Sequence, residues 1–202
     1  MQRLTRILGL AQIYQLYQWM VGAHKYSRLF AERYIQYQVG QKILDIGCGP
    51  ADILKYLPKD VDYTGIDLSE DYIINARKAH PHQRFICANV AETLPLDKEL
   101  FDTVFFIGVQ HHLTDVEMEA TLRFAWSKVK SGGRLLSLEP VRLPGQGRLE
   151  RWFMDNDRGK FIRTAEHYRH VSEKVQKGGS QTILKNTMNI PFTIIISESI
   201  KA

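Results

Sequence analysis

Residues 43–53 read ILDIGCGPADI, and this stretch decides the fold. Apolar residues surround Asp45 and lead into a turn that contains Gly47 and Gly49. Glycine lets a chain turn sharply between a buried strand and a helix, and lets a ligand approach the backbone closely. A dinucleotide-binding turn reads Gly-x-Gly-x-x-Gly, but Asp52 holds the last of these positions. The stretch therefore predicts a strand, a ligand-binding turn and a helix, and leaves the ligand open.

The length and composition of the chain indicate which class of protein it belongs to. A chain of 202 residues, 44% apolar and 24% charged, is typical of one soluble globular domain. No apolar run approaches the ~20 residues that span a bilayer, and the first residues lack the pattern of a secretory signal. The two cysteines, Cys48 and Cys87, argue against a disulfide framework. We expect a single cytoplasmic domain over residues 1–202.

Positive charge is concentrated in two segments of this chain of net charge +5. Residues 1–31 contain four basic residues and no acidic one, and residues 142–177 contain nine basic and five acidic residues. Such segments favour anionic substrate groups or an anionic surface, although solvated helical faces would give the same pattern.

Short apolar runs alternate with helical stretches, which predicts an α/β fold with a parallel, doubly wound, Rossmann-like sheet. Strands are expected at 42–46, 61–67, 84–88, 101–109, 134–140, 180–186 and 192–200. Because only a short connection joins the last two strands, they form a hairpin and one of them must run antiparallel to the others. The sheet is thus predicted to have seven strands with an antiparallel last strand.

Segments of different character flank the predicted sheet. Helical spacing of apolar residues at 4–20, and again up to Gly40, predicts an N-terminal helical cap. Residues 142–163 are expected to form a loop with an irregular helix, and 164–176 a regular helix. The expected divisions are the cap at 1–40, the core at 41–141, a lid and helix at 142–177 and the strand hairpin at 178–202.

The charged neighbours of the glycine turn indicate the class of ligand. A pyrophosphate group needs free backbone N–H groups and no nearby negative charge. Pro50 removes one N–H group, and Asp45 and Asp52 bring carboxylates to the turn. These features favour a ligand with a positively charged group, such as an α-ammonium group.

The end of the second strand carries residues that can bind a ribose. Asp67 stands where an acidic side chain accepts both hydroxyl hydrogens of a ribose, and Leu68 beside it can lie against an adenine ring. The alternative is that Asp67 only caps the following helix. An acid at this position occurs in many adenosine-binding enzymes, so Asp67 alone does not name the cofactor.

Four motifs in order, ILDIGCGP, GIDLS, FDTVFFIGVQHHL and GGRLLSLEP, resemble those of class I S-adenosylmethionine-dependent methyltransferases. The resemblance covers about residues 40–141, and that family's sheet also ends with an antiparallel seventh strand. The chain is most similar to small bacterial members, methyltransferase type 11/12-like, with an N-terminal helical cap. These also carry a segment similar to PGQGRLERWFMDNDRGKFIRTAEHY (144–168).

The resemblance implies a cofactor, S-adenosylmethionine, and a set of residues around it. The first four of the set below would surround its methionine part, and the next two its ribose and adenine. Asn89 stands where the family has an acid for the adenine amino group, and its amide oxygen can also accept. The implied cofactor-binding residues are Asp45, Gly47, Cys48, Gly49, Asp67, Leu68, Asn89, Val90 and Gly108.

Candidate residues for the acceptor lie after the fourth and fifth strands. His111 and His112 are candidate general bases because imidazole can take a proton near neutral pH. In this superfamily, however, such a pair is often structural or flanks the cofactor. The candidates for a clamp on a phosphate or carboxylate are Arg142, Arg151, Arg158 and Arg163, with an ion-pair network involving Asp155 and Asp157 as the alternative.

Together these features predict methyl transfer to a small-molecule acceptor that carries an anionic group. VQHH (109–112) replaces the Asn-Pro-Pro-Tyr-type motif of many amino-directed nucleic-acid enzymes, which argues against such a substrate. One alternative is a non-catalytic binding module of the same fold, hinted at by Ala51 and Asn89. The other, a nicotinamide-dependent oxidoreductase, is opposed by Asp45 and Asp52.

Two further expectations concern metals and membranes. The chain shows no zinc, calcium or P-loop pattern, so no metal is expected. The basic N-terminal helix carries Tyr14, Tyr17 and Trp19, and such a helix can rest on anionic lipid. The sequence does not indicate an oligomeric state.

Overall fold

The computed structural model describes residues 21–90, 96 and 98–202. Its strands are β1 (Lys42–Ile46), β2 (Asp62–Asp67), β3 (Arg84–Cys87), β4 (Phe101–Ile107), β5 (Val129–Pro140), β6 (Ser180–Lys185) and β7 (Thr193–Ile200). They form one seven-stranded sheet in the order β3-β2-β1-β4-β5-β7-β6. The first five strands are parallel, and β7 is antiparallel to both β5 and β6. The predicted sheet with an antiparallel last strand is confirmed.

Helices cover both faces of this sheet. They are α1 (Ala23–Phe30), α2 (Glu70–Ala79), α3 (Asp115–Lys128), α4 (Arg148–Asp155) and α5 (Ala165–Glu173). A π-helical turn, Ala31–Ile35, extends α1, and short 3₁₀ helices lie at Asp52–Tyr56 and Gln110–His112. Gly22, with a φ of 80°, directly precedes α1. The helix predicted at 4–20 lies outside the described residues.

Two predicted boundaries are corrected by the structure. The helix expected after the glycine turn is only the 3₁₀ helix Asp52–Tyr56. The fifth strand begins at Val129 rather than at residue 134, and its pairing with β4 shifts register between Phe101 and Thr103. A Cβ atom at Gly133 would lie 2.9 Å from the backbone oxygen of Asp102. Glycine therefore lets the strand begin close to β4, before the predicted start at residue 134.

The two faces of the sheet carry separate apolar layers. Because successive strand residues point to opposite faces, Ile43 joins one layer and Leu44 the other. The first layer packs against α1 and α2, and the second against α3 and α5. Burial on both sides explains why β4 is almost continuously apolar. Each fully buried phenylalanine of β4, Phe105 and Phe106, contributes about 1.5–3 kcal/mol of transfer free energy.

The topology places the predicted site at one edge. The chain runs outward from β1 to β2 and β3 on one side, and from β4 to β5 on the other. The carboxyl ends of β1 and β4 therefore meet at the point where the strand order reverses, which is where open α/β sheets bind ligands. The glycine turn and the loop with the two histidines follow these two strands.

Candidate active site

The glycines shape the turn after β1. Gly47 has a φ of 74°, and a Cβ atom there would lie 2.4 Å from Cγ2 of Val109. Only glycine lets the turn approach the loop after β4 so closely. The N–H group of Gly47 donates to the oxygen of Ile66 at 2.7 Å, which ties the turn to β2. Apart from its two chain neighbours, no atom of the described residues lies within 4 Å of a Cβ position at Gly49, so this side of the turn is accessible to a ligand.

Asp67 connects this turn to the end of β2. Its Oδ2 atom accepts from the N–H group of Gly49 at 2.8 Å, and Oδ1 accepts from the N–H group of Ser69, also at 2.8 Å. The cap of α2 is the Ser69 hydroxyl, which accepts from the N–H group of Tyr72 at 3.3 Å. Leu68, next to Asp67, is 69% exposed. Both residues thus lie where the sequence predicts a ribose and an adenine ring.

Asp45 is buried beneath the same turn. Its Oδ2 atom accepts from the hydroxyl of Tyr63 at 2.6 Å, whereas Oδ1 is buried without a hydrogen-bond partner in the described part of the chain. Burial disfavours the carboxylate and raises the pKa of Asp45 to about 7, although the Tyr63 bond opposes this shift. A buried oxygen without a partner costs free energy, which a donor or cation at that point would recover.

The loop after β4 is organised around His111. The ring is buried, with Nδ1 2.7 Å from Oε2 of Glu139 and Nε2 3.3 Å from Oδ1 of Asp157. Burial alone would lower the pKa of His111, but hydrogen bonds and charges of the two carboxylates outweigh burial and raise it to about 9. At neutral pH the ring is therefore a cation with both nitrogens engaged.

The pKa of His112 is shifted in the opposite direction to that of His111. Its ring centroid lies 4.2 Å from that of His111, with 38° between the ring planes. Partial burial and the positive charge of His111 lower the pKa of His112. The two adjacent imidazoles are therefore driven to different protonation states, one charged and one neutral, at neutral pH.

A family model described as a methyltransferase domain matches residues 43–133, from β1 into β5. Trans-aconitate 2-methyltransferase of Rhodopseudomonas palustris (strain HaA2) is 38% identical over 77 residues, which are 36% of this chain and 30% of that protein. The ubiquinone/menaquinone biosynthesis C-methyltransferase of Psychromonas ingrahamii is 27% identical over 185 residues, 84% of this chain and 72% of that one. The shared segment is thus less than a third of the first relative and nearly three quarters of the second.

A solved structure shows the same fold over nearly the whole chain. The plantazolicin methyltransferase BpumL, in complex with a pentazolic substrate analogue and S-adenosylhomocysteine, superposes with a TM-score of 0.69 at 15% identity. The match covers 95% of this chain and 91% of that protein. Residues 43–133 thus match a methyltransferase domain, and the chain has the fold of a class I S-adenosylmethionine-dependent methyltransferase. The resemblance identified from its four motifs is confirmed.

The glycine turn fits S-adenosylmethionine. The unpartnered Oδ1 atom of Asp45 can accept from an α-ammonium group, which a pyrophosphate does not have. The free space at Gly49 and the exposed side chain of Leu68 leave room on the same side as the carboxylate of Asp67. Three features of the turn region therefore agree with S-adenosylmethionine.

The other predicted cofactor residues lie around this edge with different surroundings. Cys48 has a buried side chain in the apolar layer, and burial raises the pKa of its thiol. Asn89 and Val90 follow β3 and are half-buried. Gly108, with a φ of 65°, ends β4 and donates to the oxygen of Leu138 at 2.8 Å.

Three of the predicted lid arginines contact other residues of the described chain. Arg163 is buried and donates to Asp115 at 2.8 Å and to the backbone oxygens of Gln110 and Leu113. Arg142 pairs with Asp155 at 2.7 Å, and Arg151 donates to the oxygen of Gln146 at 2.7 Å. Arg158 lies close enough to His112 for its charge to lower the pKa of that ring. Arg142, Arg151 and Arg163 thus take part in a network of ion pairs and hydrogen bonds.

The segment 157–163, called the strap below, lies against the loop after β4. The N–H group of Phe161 donates to the oxygen of His111 at 2.9 Å. A Cβ atom at Gly159 would come 1.7 Å from Cδ2 of His111, so only glycine lets the strap lie on the ring. The strap thus covers His111.

Four residues of this region were not predicted as site residues: Tyr63, Glu139, Asp157 and Gly159. Glu139 gives a usable signal, because a carboxylate in the apolar strand RLLSLEP must have buried donors. Tyr63 and Gly159 give no such signal, since their partners are distant in sequence.

The described ranges, 21–90 and 98–202 with residue 96, contain no helix that is long and apolar enough to cross a bilayer. The same ranges contain no cluster of three histidine, cysteine or acidic residues arranged to hold a metal ion.

Proposed function

We propose that this methyltransferase transfers a methyl group from S-adenosylmethionine to a small-molecule acceptor that carries an anionic group. The observation that carries the proposal is the buried, unpartnered oxygen of Asp45 beneath the glycine turn. That oxygen suits the α-ammonium group of the cofactor, and Asp67 suits its ribose hydroxyls. The backbones of Gly47 and Gly49 would pass along the methionine part.

The remaining roles follow from position in the fold. Leu68 would flank the adenine ring, and Asn89 with the backbone of Val90 would bind its edge. When bound, S-adenosylmethionine supplies an electrophilic methyl group, and its sulfur keeps the electron pair of the carbon–sulfur bond when an acceptor atom displaces it. Gly108, at the end of β4, would lie near that methyl group. The main task of the protein is to align acceptor and methyl group.

His112 is the better of the two proposed bases. A base needs a free lone pair near neutral pH, and both nitrogens of His111 face carboxylates. The lowered pKa of His112 leaves its ring neutral there. In this proposal His112 takes the proton that the acceptor loses, and His111 stays charged beside it.

An anionic acceptor is supported by the position of Arg158. Its charge reaches His112, so an anionic group bound to Arg158 would lie close to the proposed base. The printed name of the relative from Rhodopseudomonas palustris indicates a carboxylate acceptor, trans-aconitate, for that protein. Arg142, Arg151 and Arg163 would shape the pocket through their contacts with neighbouring residues.

Radiolabelled methyl transfer tests the proposal. The full chain would be incubated with S-adenosyl[methyl-³H]methionine and a panel of small carboxylates, phenols and quinols, and labelled products would be separated by chromatography. We expect label in one acidic acceptor and stoichiometric S-adenosylhomocysteine. Binding of S-adenosylhomocysteine without transfer to any acceptor would favour the non-catalytic binding module instead.

An apolar acceptor delivered from a membrane surface is the second candidate. On α4, Leu149 and Trp152 are 58% and 57% exposed, next to the exposed Arg148. Apolar side chains beside basic ones favour contact with anionic lipid. The relative from Psychromonas ingrahamii is named for ubiquinone and menaquinone biosynthesis. The basic segment 1–20, predicted to contact lipid, lies outside the described residues.

Vesicle co-sedimentation separates the two candidates. Full-length protein would be mixed with phosphatidylcholine vesicles with and without phosphatidylglycerol. A membrane role predicts binding to the anionic vesicles that the double variant Leu149→Ser/Trp152→Ser weakens several-fold, and that deletion of residues 1–21 weakens further. Val39→Ser, at a valine that is 83% exposed before β1, is the control. Equal sedimentation of all proteins would remove this candidate.

A further inference from the structure

Glu139 fixes the loop that follows β4. Its side chain is 1% exposed and accepts from the backbone N–H groups of Val109 (3.0 Å), Gln110 (2.8 Å) and His111 (3.3 Å). The His111 ring is its fourth partner, at 2.7 Å. These N–H groups begin a 3₁₀ helix and have no partner within it, so one carboxylate satisfies the whole start of the turn. The backbone from Val109 to His111 is thereby held at the end of β5.

The strap is bound to the same loop from the other side. Its Phe161 N–H group donates to His111, and Arg163 donates to Gln110 and Leu113 at 2.9 and 2.6 Å. Oδ1 of Asp157 accepts from the N–H group of Gly159 at 2.7 Å and also faces Nε2 of His111. Asp157 thus links the backbone of the strap at Gly159 to the imidazole ring of His111.

The charge of His111 decides whether this arrangement is favourable. A neutral imidazole has one N–H group, so one of its two carboxylate partners would face a lone pair. A charged imidazole donates to both. The charged and titratable groups around the ring are Glu139 of β5, Asp157 and Arg158 of the strap, and His112 of its own turn. The carboxylates are the nearest of these, and they favour the cation.

We propose that Glu139 and Asp157 are positioning residues of the methyl-transfer site, which hold the charged His111 ring between them and so keep the strap closed over the β4 loop. The proposal rests on the proposed function, because that loop carries Gly108 and His112. Glu139 sets the backbone of the loop, and Asp157 sets the strap. The pair acts through His111, which itself does not exchange a proton with the acceptor.

Asp157→Asn tests this proposal, because it removes the charge and keeps the size. In the full chain, hydrogen exchange of the Phe161 amide would be measured by NMR at pH 7, together with the titration midpoint of His111. We expect at least a tenfold loss of protection and a fall of the midpoint by about one unit or more. Asp62→Asn, at an exposed carboxylate at the start of β2, is the matched control. Unchanged protection and midpoint in Asp157→Asn would overturn the proposal.

The wild-type protein provides a second measurement that does not depend on a variant folding. The amide signals of Gly159 and Phe161 would be followed with the His111 ring signals from pH 7 to 10. The proposal predicts that all three change with one midpoint near the His111 pKa of about 9. Strap signals that stay constant while His111 titrates would contradict it. Titration with S-adenosylhomocysteine in the same samples reports on the proposed function separately, since cofactor binding does not require the strap to respond to pH.

Discussion

The hydroxyl of Tyr63 donates to Oδ2 of Asp45 at 2.6 Å in the interior, while Oδ1 of the same carboxylate has no partner in the described part of the chain. The two residues lie on neighbouring parallel strands, where Asp45 pairs with Gly65. Tyr63 therefore orients the carboxylate and leaves one oxygen for a ligand. A buried acid with an incomplete set of partners is costly for folding, which favours a role in binding.

Asp45→Asn should stabilise the unliganded protein. The folded-state pKa of Asp45, about 7, lies above its ordinary value of 3.8, so the folded state holds a proton that the unfolded state has released. Stability is therefore lost as pH rises from about 4 to about 7. Asparagine avoids this cost and can still accept from Tyr63. At pH 8 we expect a gain of about 1–3 kcal/mol in the free energy of unfolding, measured in urea. A loss of stability would show that the carboxylate is well satisfied.

Cofactor affinity should depend on pH through the same group. An α-ammonium group binds the charged form of Asp45, and a pKa of about 7 leaves most of the free protein protonated at pH 6. The dissociation constant of S-adenosylhomocysteine should be about fivefold to tenfold larger at pH 6 than at pH 7.5. Calorimetric titration at both values measures it. Asp45→Asn should bind more weakly and lose this dependence; a variant that retains it would assign the titration to another group.

Gly159→Ala should open the strap. A Cβ atom at Gly159 would lie 1.7 Å from Cδ2 of His111, so either the ring or the strap must move. We expect a loss of about 1–3 kcal/mol in the free energy of unfolding and faster exchange of the Phe161 amide. Gly147→Ala is the control, because nothing lies within 4 Å of its Cβ position and its φ of −64° suits alanine. Equal effects of the two substitutions would show that the contact between Gly159 and His111 is not needed to hold the strap.

Asp67→Asn should weaken cofactor binding. The carboxylate receives two backbone N–H groups and, in the proposed complex, the ribose hydroxyls. An amide accepts through one oxygen only, so we expect S-adenosylhomocysteine to bind about tenfold to a hundredfold more weakly. Asp62→Asn, at the other end of β2, should bind like the wild type. Similar affinities for both variants would argue against ribose binding by Asp67.

The sequence predicted the sheet well because its signals are local. Alternating apolar runs located all seven strands, and the connection between the last two fixed the antiparallel strand. The predicted start of the fifth strand was wrong, because there a glycine acts through a contact that is distant in sequence. Gly133 lies just before the strand predicted at 134–140, yet it belongs to β5, where only glycine fits against the backbone oxygen of Asp102.

In the candidate site, too, features with local signals could be predicted and features that depend on distant contacts could not. The residues of the glycine turn and Asp67 could be placed from strand ends alone. The state of His111 could not, because its two carboxylate partners are 28 and 46 positions away and come from separate elements. The arginines 142, 151 and 163 were ambiguous for the same reason, since their acceptors are mostly backbone oxygens and exposed acids that no motif marks.

Competitive titration with S-adenosylhomocysteine and NADH tests the central claim most directly. Because Asp45 and Pro50 make the turn unsuited to pyrophosphate and suited to an ammonium group, we expect one saturable site for S-adenosylhomocysteine, measured by calorimetry on the full chain. NADH should neither bind nor displace it. Saturable binding of NADH, with none of S-adenosylhomocysteine, would contradict the account.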